Sequence, residues 1–92
     1  MFGNVHLILA MITLKIRAFG ITKEILGNKE SEIMLPNDEC TVAGLKNKLE
    51  RKHPRLLELK SLFIAVNNRY AGSDDVLHEN DEIALIPPVS GG

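Results

Sequence analysis

Few residues of this chain have the chemistry to make or break bonds. Cys40 is the one thiol, and His6, His53 and His78 are the only imidazoles. None of them is spaced from another as metal ligands are, so no metal site is expected. Cys40 stands just before a helix cap with no base near it in sequence to lower its pKa. It reads as a small buried hydrophobe rather than a nucleophile. The acidic run Asp74, Asp75, Glu79, Asp81 and Glu82 lacks calcium-loop spacing and its glycine, and reads as a solvated face. Neither common glycine-rich phosphate loop is present, so no nucleotide or other cofactor is expected on this chain. The C-terminus remains. Pro87-Pro88-Val89-Ser90-Gly91-Gly92 ends on a carboxylate carried by two glycines, a group that becomes an acyl donor once activated. At average glycine usage such a pair arises by chance in roughly one chain in two hundred. A frayed end is the plain alternative.

The tail's composition suits an extended segment that projects from the domain. Pro87 and Pro88 lack N–H groups and fix φ, so they stop strand pairing and project a stiff stalk. Val89 offers an apolar contact and Ser90 a hydroxyl. Gly91 and Gly92 lack Cβ, so a narrow tunnel could close around them. Fully extended, the last five residues reach roughly 17 Å.

The elements that must position this tail follow from periodicity. From Met11 the pattern alternates, with Ile12, Leu14, Ile16 and Ala18 on one face and Thr13, Lys15 and Arg17 on the other, a half-buried strand. "GITKEILGN" reads as a short polar turn region bounded by Gly20 and Gly27. "SEIMLP" is a second strand with Ile33 and Leu35 inward. "TVAGLKNKLERKHP" is a helix, with Thr41 as N-cap, a Val42–Leu45–Leu49 stripe, and Pro54 beyond its end. "RLLELK" adds a short helical turn. "SLFIAVNN" is a strand with Leu62, Ile64 and Val66 on one face. "NNRYAGSDD" is rich in turn residues, with Tyr70 in the turn. In the last strand Ile83 and Leu85 face inward, which puts Ala84 and Ile86 on the other side.

One helix covers one face of a sheet and leaves the other bare. The expected fold is α+β, a β-grasp (ubiquitin-like) domain: a mixed four- to five-stranded sheet with one main helix on one face. First and last strands then lie parallel in the centre. The expected boundaries are 1–10 for an N-terminal extension, 11–86 for the domain and 87–92 for an extended C-terminal tail. Eleven basic against twelve acidic residues leave a net charge of −1. That balance argues against nucleic acid, as does the scarcity of aromatics, and no polybasic run argues for a membrane surface. The apolar run "HLILAMITL" meets Lys15 and Arg17 well short of the ~20 residues a bilayer span needs. A lone cysteine suits a reducing, cytoplasmic setting.

The stretches "TVAGLKNKLERKHP", "IAVNNRY" and "ENDEIALIPPVSGG" resemble the small, sulfur-carrying subunits of molybdopterin synthase. The resemblance runs from Met11 to Gly92, and the Pro-Pro-Val-Ser-Gly-Gly end is its specific element. Asn80 stands where that family usually has Gly, and Gly44 where it often has an acidic residue, both read as local tuning. The resemblance implies that an E1-like adenylyltransferase uses ATP to adenylate the Gly92 carboxylate and that a sulfur donor system then converts it to a thiocarboxylate. It implies delivery to a large subunit, in a heterotetramer, for molybdenum cofactor biosynthesis. It also implies a partner interface on the uncovered face, with Arg17, Tyr70 and Ile86 as its residues. The same activated Gly-Gly end would serve a ubiquitin-like protein modifier, or a carrier for thiamine or tRNA thiolation.

Overall fold

The computed structural model describes residues 10–88. Residues 1–9 and the end of the tail, Val89 to Gly92, lie outside the described residues, so most of the expected extension and the reactive end lie there too. The elements in chain order are β1 (Met11–Ala18), α1 (Gly20–Leu26), β2 (Glu30–Pro36), α2 (Val42–Lys52), β3 (Phe63–Val66), β4 (Arg69–Tyr70) and β5 (Ile83–Ile86). Short 3-10 turns flank α2 at Asn37–Glu39 and Pro54–Glu58. The sheet has five strands in the order β2-β1-β5-β3-β4.

Alternation in β1 sorts its side chains as expected. Leu14, Ile16 and Ala18 are buried, while Lys15 and Arg17 are exposed. β2 returns antiparallel, with Leu14 opposite Ile33 and Ile12 opposite Leu35. On the other side β5 runs parallel to β1, with Ile16 opposite Ile83 and Ala18 opposite Leu85. α2 lays Val42, Leu45 and Leu49 against this surface. Leu14, Leu45, Leu49 and Leu85 are wholly buried, and each such side chain contributes about 2 kcal/mol of transfer free energy. The β-grasp topology is therefore present, with its parallel pair in the centre.

The segment "GITKEILGN" is a helix, not a turn. Its half-buried Ile21, Ile25 and Leu26 and its buried Thr22 fall on one helical face. The two glycines bound the helix. Gly20 enters it at φ +55° and Gly27 caps it at φ +87°, its N–H donating to the Lys23 carbonyl at 2.9 Å. Left-handed backbone at both ends is why glycine stands there. Tyr70 likewise belongs to strand β4 rather than to a turn. The turn is Asn67-Asn68, with φ 52° and 69°, the paired positive values of a tight hairpin that asparagine tolerates.

The N-terminus of α2 is fully satisfied. Val42 N–H donates to the Asp75 carbonyl and Ala43 N–H to the Ser73 carbonyl, each at 3.0 Å. Gly44 N–H donates to the Thr41 hydroxyl at 3.1 Å, and Leu45 N–H to the Thr41 carbonyl at 2.8 Å. His53 closes the other end, its N–H donating to the Leu49 carbonyl. The loop after β4 thereby docks on the helix and drops Leu77 into the core.

Gly44 is more than a tuning position. A Cβ there would lie 2.0 Å from the Glu39 carbonyl oxygen, backbone that cannot swing aside like a side chain. Alanine's helix propensity alone would stabilise α2 by about 1 kcal/mol. Crowding of this kind usually costs about 1–3 kcal/mol, so the clash wins. Gly44→Ala should therefore lower stability in urea denaturation, and an equal or higher midpoint would contradict the close approach.

Candidate functional site

β5 delivers the tail from the middle of the sheet. Its last residue, Ile86, pairs with Phe63, and the next two residues are Pro87 and Pro88, both half-buried. Proline ends the ladder by lacking the N–H. The parallel pairing of β1 with β5 stops at the same level, because Gly20 turns the chain into α1 there. A Cβ on Gly20 would lie 3.5 Å from Pro87 Cγ, so the proline ring rests close beside a bare Cα. Thr22 secures the corner. Its hydroxyl accepts from Phe19 N–H at 2.9 Å and donates to the Phe19 carbonyl at 2.5 Å. Thr22 is wholly buried, and among the described residues it is the one buried polar side chain.

The uncovered face carries the three predicted contact residues together. Register places Arg17 opposite Ala84, Ala84 opposite Ala65 and Ala65 opposite Tyr70. Arg17 and Tyr70 thus flank a floor of two alanines in one row across the sheet. Ile86 and Phe63 form the next row toward the tail. Arg17 also meets Glu30 across the β1–β2 pair, Nε to Oε2 at 3.4 Å. Both partners are mostly exposed, so this pair adds little to stability.

Phe63 escaped the sequence reading, which followed only the inward residues of its strand. The same alternation that turns Leu62 and Ile64 inward sends Phe63 and Ala65 outward, and that was the available signal. Phe63 is 54% exposed and Tyr70 72% exposed. Their ring centroids are 5.5 Å apart at an interplanar angle of 54°, a tilted pair in the favourable range. With Phe19 at 47% exposure and Ile86, they form a grouped apolar surface beside the base of the tail. Single exposed apolar residues are ordinary, whereas a group of them makes this face the candidate for contact with another surface.

The other candidates lie elsewhere. Cys40 is buried under the N-terminus of α2, its thiol donating to the Leu77 carbonyl at 3.3 Å. Burial, and then the charge of Asp81, push its pKa above the ordinary thiol value. His53 caps α2, and His78 is exposed in the turn before β5. The acidic loop is tied by its own carboxylates. Asp75 accepts from Gly72 N–H at 2.9 Å, and Asp81 accepts from His78 N–H at 2.8 Å and from the Asn67 amide at 2.9 Å. Among the described residues no group of His, Cys, Asp and Glu is placed to hold a metal ion. No helix among them is long and apolar enough to cross a membrane.

Fold and site together define a ubiquitin-like β-grasp domain whose central strand runs straight into a proline-stiffened tail beside an open apolar face. The model of the ThiS family matches residues 16–92, and the chain belongs to that family. It is 43% identical over 81 residues to the molybdopterin synthase sulfur carrier subunit of Dictyostelium discoideum, covering 85% of this chain and 94% of that one. Among solved structures it resembles a putative molybdopterin converting factor, subunit 1, from Pyrococcus furiosus. There the TM-score is 0.75 at 28% identity, over 85% of this chain and 99% of that one. It also resembles a chain in the Helicobacter pylori complex of subunits 1 and 2 of molybdopterin-converting factor. That match has a TM-score of 0.58 at 27% identity, over 88% of this chain and 100% of the other.

The environment of Cys40 makes a direct prediction. A raised pKa leaves less thiolate at neutral pH, and thiolate is the reactive form. In the folded protein iodoacetamide should modify Cys40 at least about tenfold more slowly than in urea, where the thiol is freed from its buried site. Equal rates would show that the thiol is accessible and ionised.

Proposed function

We propose that this chain is the sulfur-carrier subunit of a molybdopterin synthase and that the Gly92 carboxylate is its reactive group. The observation that carries the reading is the joint one: a tail leaving the central strand beside an exposed apolar face, on a chain 43% identical to a curated sulfur carrier. An E1-like adenylyltransferase joins the Gly92 carboxylate to AMP from ATP, releasing pyrophosphate. The carboxylate oxygen is a poor leaving group until this is done. A sulfur donor system then displaces AMP and leaves a C-terminal thiocarboxylate. This end is presented to the large subunit, which transfers the sulfur to cyclic pyranopterin monophosphate in building the dithiolene. The carbonyl carbon of Gly92 takes an oxygen from water in exchange and returns to the carboxylate. The chain is a donor rather than the catalyst, and the buried Cys40 has no part in it.

The residues of the chain divide the work. Pro87 and Pro88 hold the tail away from the sheet, and Gly91 and Gly92 let a tunnel close around it. Phe63, Tyr70 and Ile86 give the partner an apolar surface to hold while the tail is inserted, with Arg17 at its margin. A short peptide alone has too little area to offset its ordering entropy, so such a surface is needed. The large subunit and the adenylyltransferase use the same face in turn, with the large subunit forming a heterotetramer and the carrier leaving after each transfer. A cytoplasmic setting fits a chain whose one cysteine is a free thiol.

Two experiments test this. Adding one residue after Gly92 should abolish thiocarboxylate formation, seen by intact mass, with the unfolding midpoint unchanged. An extended, untrimmed chain that still acquires sulfur would refute the mechanism. Ile86→Lys should weaken binding to the large subunit at least about tenfold by calorimetry, while the partly exposed position keeps the stability change within about 1 kcal/mol. Undiminished affinity would move the contact to another face.

A further inference from the structure

Charge in this domain is sorted along the direction of its central strands. β1 and β5 finish side by side at Ala18 and Leu85, α1 follows at Gly20, and the 3-10 turn Pro54–Glu58 packs against α1. The end of α2 therefore lies beside the root of the tail. Its start lies at the far end, because Asn37 N–H, in the turn before α2, donates to the Ala10 carbonyl at 2.8 Å. Lys29 belongs to the tail end, its carbonyl accepting from Ala18 N–H at 2.9 Å. So does Lys60, which shortly precedes Phe63, the partner of Ile86.

Six exposed cations gather at this end, Lys23, Lys29, Arg51, Lys52, Arg55 and Lys60, against Glu24 and Glu58. The carboxylates collect elsewhere, with Asp38 and Glu39 before α2 and five more within residues 74–82. A chain of net charge −1 is thus positive around the root of the tail and negative away from it. The dipole of α2 favours Arg51 and Lys52 in its last turn. It gives no reason for Lys23, Lys29, Arg55 or Lys60. Among the described residues none of the six has an ion-pair partner, so an acidic surface brought against them would relieve their mutual repulsion. The length of α2, roughly 16 Å, is about twice the ~8 Å screening length at physiological salt. An approaching molecule meets the charge of one end rather than the net charge of the chain. Leu57, 65% exposed in the same turn as Arg55, adds an apolar contact that suits a protein surface better than a polyphosphate.

We propose that this basic end is a docking surface for an acidic protein surface, the rim of the partner site that takes up the tail, and that its charge speeds their encounter. The proposal rests on the carrier reading above and adds the chemistry of the partner. Its residues lie on α1, α2 and the following turn, apart from the Phe63–Tyr70–Ile86 face.

The test measures association of the full chain with its large subunit by stopped flow, at about 20 and about 500 mM salt, where screening is weak and strong. Wild-type association should slow at least about tenfold between the two. The quadruple variant Arg55→Glu, Lys60→Glu, Asp74→Lys and Glu79→Lys changes four exposed positions, keeps the net charge at −1 and inverts its distribution. At low salt it should associate at least about tenfold more slowly than wild type, and at high salt at about the same rate. Thermal unfolding, followed in parallel, confirms that it folds. Wild-type association that ignores salt, or quickens with it, would overturn the proposal even if the variant fails to fold. Equal low-salt rates for the folded variant and wild type would do the same. If the variant loses binding to phosphatidylserine vesicles or bulk tRNA while subunit association is unchanged, the surface serves a polyanion and the proposal fails. A wild-type chain that binds the large subunit at neither salt concentration would instead remove the carrier reading, and this proposal with it.

Discussion

The parallel pairing of β1 with β5, Ile16 opposite Ile83 and Ala18 opposite Leu85, constrains every other element of this domain. Parallel neighbours cannot be joined by a tight turn, so the intervening chain must supply a long connection. Here that connection includes β2, α2 and the β3–β4 hairpin. α2 can only lie across one face, where Leu45 and Leu49 seal the central strands. The pairing also sets where the tail begins. It ends at Ala18 and Leu85 because Gly20 bends away and Pro87 has no N–H to offer.

The sheet is consequently two-sided in character. One side is a core of Leu, Ile and Val under α2. The other keeps Lys15, Arg17 and Glu30 in water but adds Phe63, Tyr70 and Ile86 toward the tail end. A chain using its own side chains for covalent chemistry would be expected to hold a nucleophile and base within reach of one another. Here the thiol is buried beneath α2, its pKa raised by that burial, and on the opposite side of the sheet from the aromatic pair. On the proposed reading the face serves contact and the chemistry falls to the main chain.

Most of this was legible where one physical signal dominated. Strict alternation from Met11 to Ala18 made β1 unmistakable, and Thr41 followed by the Val42–Leu45–Leu49 stripe fixed α2. Arg17, Tyr70 and Ile86 do share one face, although Tyr70 reaches it from a strand. Helix α1 was hidden because glycines at both ends of a short segment look like turn residues. Only their left-handed φ values show that they delimit a helix. Leu77 was hidden for a different reason: it lies in a polar loop with no periodicity and is buried only because that loop docks on the N-terminus of α2. The Glu39–Gly44 approach is invisible to pattern altogether, since it depends on how a 3-10 turn folds back on the helix.

The placement of β5 beside β1 has a kinetic side. The two strands at the centre of the sheet come from distant parts of the sequence, so their pairing carries a large loop-closure entropy and is a slow step. Until β5 docks, the β1–β2 hairpin and α2 share an apolar surface with its middle missing, and Ile16 has no neighbour on one side. Partial products that end before Ile83 would therefore be exposed, sticky fragments rather than smaller domains. Quality control of this protein is then nearly all-or-none, because the strand that completes the core is the strand that carries the tail.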